Sequence, residues 1–134
     1  MVPIIDASVA IKWFVEEKGR ESALEILQNI LESPQTHAVP ELFYFELANA
    51  FNRLVPVPNE GQLKLMDQVL VLALRRFSMT GELFDLTRKY QRMGLSGYDA
   101  SYVALAKMLK GIWLTFDETA HRKIAPLKIS RLLA

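Results

Sequence analysis

Val2-Pro3-Ile4-Ile5-Asp6-Ala7-Ser8-Val9-Ala10 reads as a short apolar strand that ends on an aspartate and passes at once into a helix. A brief apolar run bounded by turn residues suits a strand buried on both faces, as in a parallel sheet. Working outward, the same pattern returns at Thr36 to Val39, Arg76 to Met79, Ile112-Trp113-Leu114-Thr115 and Lys128 to Leu132. Helical stretches fill the spaces between. Ser8 to Phe14 starts one that breaks at Gly19, and Glu21 to Leu31 follows, with Ala23, Leu24, Leu27, Ile30 and Leu31 on one face. Pro40 belongs by this reading to the first turn of a helix running to about Leu54, apolar over most of its surface and so expected to be well buried. Gln62 to Arg75, Glu82 to Arg92 and Ser96 to Leu109 complete the set, the last closed by Lys110-Gly111. Alternating strands and helices predict an α/β fold, a parallel sheet with helices on both faces.

The 134 residues suit one domain spanning 1–134. There is no cysteine, which excludes disulfides and thiolate metal sites and leaves oxygen donors or the two histidines, His37 and His121, for any metal. The N-terminus lacks the basic-then-apolar pattern of a signal peptide, and no apolar run is long enough to span a bilayer, so the expected location is cytoplasmic, with no membrane association. Net charge is only +1, but it is segregated: residues 1–60 carry nine acids and four Lys/Arg, residues 61–134 six acids and twelve. A basic half beside an acidic pocket suits a polyanionic substrate met through bridging metal ions; ordinary solvated helix faces would give the same count.

Four acids stand out by position. Asp6 follows the first strand directly and Asp117 follows the strand Ile112 to Thr115, so both project at one sheet edge, where parallel α/β folds bind ligands. Asp99 lies in the first turn of the helix before Ile112, and Glu46 sits among Phe43, Phe45, Leu47, Ala48 and Ala50, where a bare charge is costly. Clustered carboxylates repel unless a cation lies between them, and hard divalent ions prefer oxygen ligands. Each acid also has a structural reading. Asp6 and Asp117 could cap the helices that follow them. Ser96-x-x-Asp99 matches a capping box, and Glu46 could pair with Arg53 or Lys64.

Four segments carry a family resemblance: Ile4-Ile5-Asp6-Ala7-Ser8-Val9-Ala10; Val39-Pro40-Glu41-Leu42 leading to Glu46-Leu47-Ala48-Asn49-Ala50; Tyr98-Asp99-Ala100-Ser101-Tyr102-Val103-Ala104-Leu105-Ala106; and Trp113-Leu114-Thr115-Phe116-Asp117. In order and spacing the chain resembles the PIN-domain family, and within it the VapC-type ribonuclease toxins of toxin–antitoxin pairs. The resemblance implies a three-layer α/β/α sandwich with a central parallel sheet. It further implies an endoribonuclease dependent on Mg²⁺ or Mn²⁺, with Asp6, Glu46, Asp99 and Asp117 as catalytic metal ligands. Ser8, Asn49 and Thr115 match supporting positions, and Glu118 is a possible further ligand. RNA, a cognate antitoxin and a homodimeric partner are the implied associates, with Trp13 and Phe14 as candidates for the antitoxin groove. Tyr98 and Tyr102 read as packing residues.

Two rival readings fit the same residues. A phosphatase with an aspartate nucleophile after the first strand would want a second acid two residues on, where Ser8 stands. The other is a non-catalytic RNA- or partner-binding module of the same fold, with structural acids.

Overall fold

The computed structural model describes all 134 residues. Five strands, β1 (Pro3–Ile5), β2 (Ala38–Pro40), β3 (Arg75–Phe77), β4 (Ile112–Thr115) and β5 (Ser130–Leu132), form one sheet in the order β3-β2-β1-β4-β5. Every pairing is parallel. Seven helices connect them: α1 (Ala7–Ala10), α2 (Arg20–Glu32), α3 (Leu42–Leu54), α4 (Glu60–Val71), α5 (Gly81–Gln91), α6 (Gly97–Met108) and α7 (Glu118–Ile124). Right-handed crossovers put α1 to α4 on one face of the sheet and α5 to α7 on the other. The α/β/α sandwich expected from the sequence is the fold observed.

The inner strands are short and dry. Ile4, Ile5, Val39 and Trp113 are fully buried, each large side chain contributing about 1.5–3 kcal/mol by leaving water. Helix α6 crosses the middle of the second face and packs on β1, β2 and β4 as well as on α5. Ala100, Ala104 and Ala106 let it lie close, and its buried residues run around most of its circumference, as expected for a helix covered on several sides. Thirty-three buried residues make a single core cluster. No helix is long and apolar enough to cross a membrane.

Several boundaries differ from the sequence reading, each for a local reason. Pro40 ends β2 instead of opening α3, which begins at Leu42 after Glu41. Glu41 N–H donates to the Phe77 carbonyl of β3, so the missing donor of Pro40 falls on the β1 side, where pairing has already ended. Helix α3 is one-sided: Phe43, Tyr44, Leu47 and Phe51 are buried, yet Phe45 is 71% exposed. Helix α4 stops at Val71, and β3 starts at Arg75, one residue early. Trp13 and Phe14 are largely buried, and their edges form the floor of a shallow groove shared with Glu16, Arg20, Asn59, Gln62 and Leu65. Trp13 Nε1 donates to the Ala23 carbonyl at 2.8 Å and locks the first turn onto α2.

Candidate active site

The connection leaving β1 leads outward to β2 on one side, whereas β4 continues to β5 on the other. Such a reversal opens a crevice beyond the carboxyl ends of the two central strands. Asp6 and Asp117 follow those strands. Helices running back along a parallel sheet begin at the same edge, so the direction of α6 brings Asp99 there. Glu46 lies one turn into α3, nearer the edge than a helix starting at Pro40 would allow. An open cleft of about 600 Å³ at this edge is lined by Asp6, Glu46, Asp99 and Asp117 together, with Ser8 and Asn49 beside them.

The capping roles are real for two of the acids. Asp6 Oδ2 accepts from Ser8 N–H at 3.0 Å and thereby caps α1, while its Oδ1 accepts from Trp113 Nε1 at 3.2 Å. Asp117 Oδ1 accepts from Ala120 N–H at 3.0 Å and caps α7. Its other carboxylate oxygen accepts no hydrogen bond from the protein. In α6 the cap is Ser96, whose hydroxyl accepts from Asp99 N–H at 3.0 Å; the return bond that would complete a capping box is not made. Glu46 pairs with neither Arg53 nor Lys64. It accepts instead from the Tyr102 hydroxyl at 2.6 Å.

Thr115 and Ser8 brace the edge. Ser8 Oγ accepts from Phe116 N–H at 3.1 Å and lies 3.5 Å from Thr115 Oγ1, which accepts from Asp117 N–H at 3.0 Å. Thr115 is fully buried behind the cleft and does not line it. Asn49 is exposed and makes no hydrogen bond to Glu46. Glu118 is exposed, paired with Arg122 and outside the cleft. His37 is held by Ser33 and Thr36, and His121 by Ser130, so neither reaches the acids.

The electrostatics are those of an anionic site with too few cations to balance it. Burial pushes the Asp6 carboxyl above its usual range, and the bonds from Ser8, Trp113 and Thr115 only partly oppose it. Burial likewise raises Glu46; the charges of Asp6 and Asp99 raise it further, and the Tyr102 hydroxyl pulls it back. Asp99 is raised first by burial and then by Asp6 and Asp117, with Ser96 and Lys123 opposing. Tyr102 itself is driven well above the usual phenol range by burial and by Asp6 and Glu46, so it stays a donor. The carboxylates therefore feel one another across the cleft, although as placed no three of them close on one ion-sized point. Their chemistry fits a hard divalent cation: oxygen donors only, mutual repulsion, and an open mouth that leaves room for water ligands.

Two hydrogen-bond partners of the acids, Tyr102 and Trp113, were not singled out for that role by sequence. Each lies far along the chain from the acid it serves, and no local pattern marks it for that role. Both are fully buried, and their rings stack with centroids 5.8 Å apart. Tyr98, read as a packing residue, is 66% exposed.

A family model described as a PIN domain matches residues 4–125. No curated protein matches the chain. Among solved structures, the chain is similar to a toxin–antitoxin complex from Klebsiella pneumoniae, with 15% identity, a TM-score of 0.69, and 96% of this chain and 95% of that one covered. It is also similar to VapC20 of Mycobacterium tuberculosis, a sarcin–ricin-loop-cleaving toxin: 14% identity, TM-score 0.65, coverage 90% and 93%. FitAcB from Neisseria gonorrhoeae gives 14% identity, a TM-score of 0.64, and coverage of 92% and 93%. At such identities the likeness is one of fold.

Proposed function

The chain belongs to the PIN domain family, and from that premise we propose that it is an endoribonuclease dependent on Mg²⁺ or Mn²⁺, the toxin of a toxin–antitoxin pair. The observation that carries this reading is the gathering of Asp6, Glu46, Asp99 and Asp117 in one cleft at the reversal point of the sheet. Two of the structural relatives, a toxin–antitoxin complex and an RNA-cleaving toxin, support the same assignment.

The reaction is hydrolysis of a phosphodiester. An oxygen of water bonds to phosphorus as the bond to the leaving ribose oxygen breaks; the water gives up a proton and the leaving oxygen takes one. Bound divalent ions supply Lewis acidity, lowering the pKa of water and offsetting charge on the phosphate. Asp6 and Asp99 would be the principal ligands, with Glu46 and Asp117 holding a second ion or its waters. Trp113 fixes the rotamer of Asp6, and Tyr102 that of Glu46. Ser8 and Thr115 set the distance between the ends of β1 and β4. No side chain needs to act as nucleophile.

The toxin assignment brings with it an antitoxin and a homodimer as partners in the cytoplasm. For an antitoxin helix the natural surface is the apolar groove between α2 and α4, lined by Leu27, Leu31, Leu65, Val69, Val71 and Leu72. Trp13 and Phe14, the candidates from the sequence, floor a separate and more polar groove that shares Leu65 with this one.

The test is direct. With Mn²⁺ the purified protein should fragment total cellular RNA, and Asp99→Asn should lower that activity by at least about a hundredfold, the loss expected when charge stabilisation of a transition state is removed. Intact RNA after incubation of the wild type with Mn²⁺, or cleavage that survives the substitution, would leave the non-catalytic module as the better account.

A further inference from the structure

Two cations, Lys12 and Arg53, stand in the cleft among the acids, and Lys12 is the one held in place. Lys12 lies in the turn after α1, and its side chain is only 12% exposed. Its ammonium donates to Glu17 Oε1 at 2.8 Å and to the Lys18 carbonyl at 2.8 Å, and it sits 4.5 Å from the centroid of the Phe116 ring. That ring directly precedes Asp117. Gly19 closes on the same ring with a φ of 90°, so near that a Cβ there would lie 2.6 Å from Phe116 Cε1. Lys12, Glu17 and Phe116 thus form one wall of the cleft, next to Asp117.

The balance of charge in the lining gives this wall its meaning. Asp6, Glu17, Glu46, Asp99 and Asp117 face only Lys12 and Arg53. Divalent ions can neutralise the quartet, but a strand passing over Phe116 brings a further phosphate against Glu17, and the cation there is Lys12. Holding a lysine still and nearly dry costs rotamer freedom and hydration, and its pair with Glu17, whose side chain is 41% exposed, returns little. A backbone phosphate accepts the same kind of charge-assisted bond from the ammonium as a carboxylate does, so an incoming strand can take the place of Glu17.

On the nuclease reading above, we propose that Lys12 binds a backbone phosphate of the RNA beside Asp117, and that Glu17 is its counter-ion in the free protein, displaced by the incoming strand. Glu17 then turns to solvent, and the Glu17–Gly19 turn stays in place through the packing of Gly19 on Phe116.

The experiment measures binding of a labelled single-stranded RNA oligonucleotide to the full chain carrying Asp99→Asn, so that nothing is cleaved, across a series of salt concentrations. Adding Lys12→Met should weaken binding about tenfold at low salt and reduce the slope of log affinity against log salt by about 0.7, the loss of one phosphate contact to a single strand. Lys12→Arg should keep the slope. Glu17→Gln should tighten binding several-fold, because it releases the ammonium. In otherwise wild-type protein, Lys12→Met should raise KM more than it lowers kcat.

A lysine that merely clamps the turn gives a different pattern: Lys12→Met and Glu17→Gln both lower the melting temperature, and neither changes the salt slope nor tightens binding. That result overturns the proposal. Should Lys12→Met fail to fold, the sign of the Glu17→Gln effect decides alone. Wild-type protein that leaves RNA intact with Mn²⁺ defeats the nuclease reading; wild type that cleaves, with Lys12→Met matching its KM and slope, defeats only the role of Lys12.

Discussion

At the scale of single residues, the site depends on hydrogen bonds that no local pattern announces. Glu46 and Tyr102 are 56 positions apart in the chain, Asp6 and Trp113 are 107, and both pairs form because α6 and β4 pass beside the ends of α3 and β1. The acids themselves were legible, since an aspartate directly after a strand or a glutamate inside an apolar helix is visible in the chain. Their partners were not, because buried aromatic residues usually signal core. Tyr102→Phe tests the distinction. It keeps the ring stacked on Trp113 but removes the bond to Glu46, so stability should change little while the rate falls several-fold, in line with about 1 kcal/mol for one such bond at a half-buried carboxylate. Burial already raises the Glu46 pKa, and Tyr102 is what lowers it; the acid limb of the rate–pH profile should therefore move to higher pH in the variant. An unchanged limb alongside an unchanged rate would show that the bond is structural only.

At the scale of elements, strand and helix order was readable almost throughout, because short dry strands separated by amphipathic segments leave few alternatives. Ends were less readable. Pro40 could open a helix or close a strand, and only the position of β3, which takes the N–H of Glu41, decides it. The α6–β4 junction shows how tightly one such end can be set. Gly111 donates to the Ala106 carbonyl at 2.7 Å, and Ile112 N–H bonds the Val2 carbonyl at 2.8 Å, so the chain turns hard against the start of β1. A Cβ on Gly111 would lie 2.2 Å from Val2 O, a backbone atom that cannot swing aside. Gly111→Ala should cost about 1–3 kcal/mol, the range for overpacking an interior, and lower the denaturation midpoint with no change in m-value. A midpoint equal to that of the wild type would mean that β1 and β4 can part without penalty, contrary to this close packing.

At the scale of the whole molecule, the fold stores repulsion at one edge, and the sign of its pH dependence follows. Asp6, Glu46 and Asp99 all have carboxyls raised above their usual range, with burial as the first cause of each. A carboxyl raised on folding binds its proton more tightly in the native state than in the unfolded chain. Without divalent ions, then, these groups favour the native state at low pH, and that advantage is lost as pH rises from the usual carboxylate range through the raised values. Asp99→Asn removes one of the charges and leaves the Ser96 cap on its backbone N–H intact. Its melting temperature without metal should match or exceed that of the wild type, by a margin that widens between acid and neutral pH. Mg²⁺ at constant ionic strength should act in the opposite sense, raising the wild-type midpoint most at neutral pH and the Asp99→Asn midpoint much less. Potassium at the same ionic strength should give only a small rise, because screening weakens repulsion without bridging the carboxylates. If Mg²⁺ and potassium proved equivalent, the cleft would be an acidic surface with no cation of its own, and the charge segregation of the two halves of the chain would need another explanation.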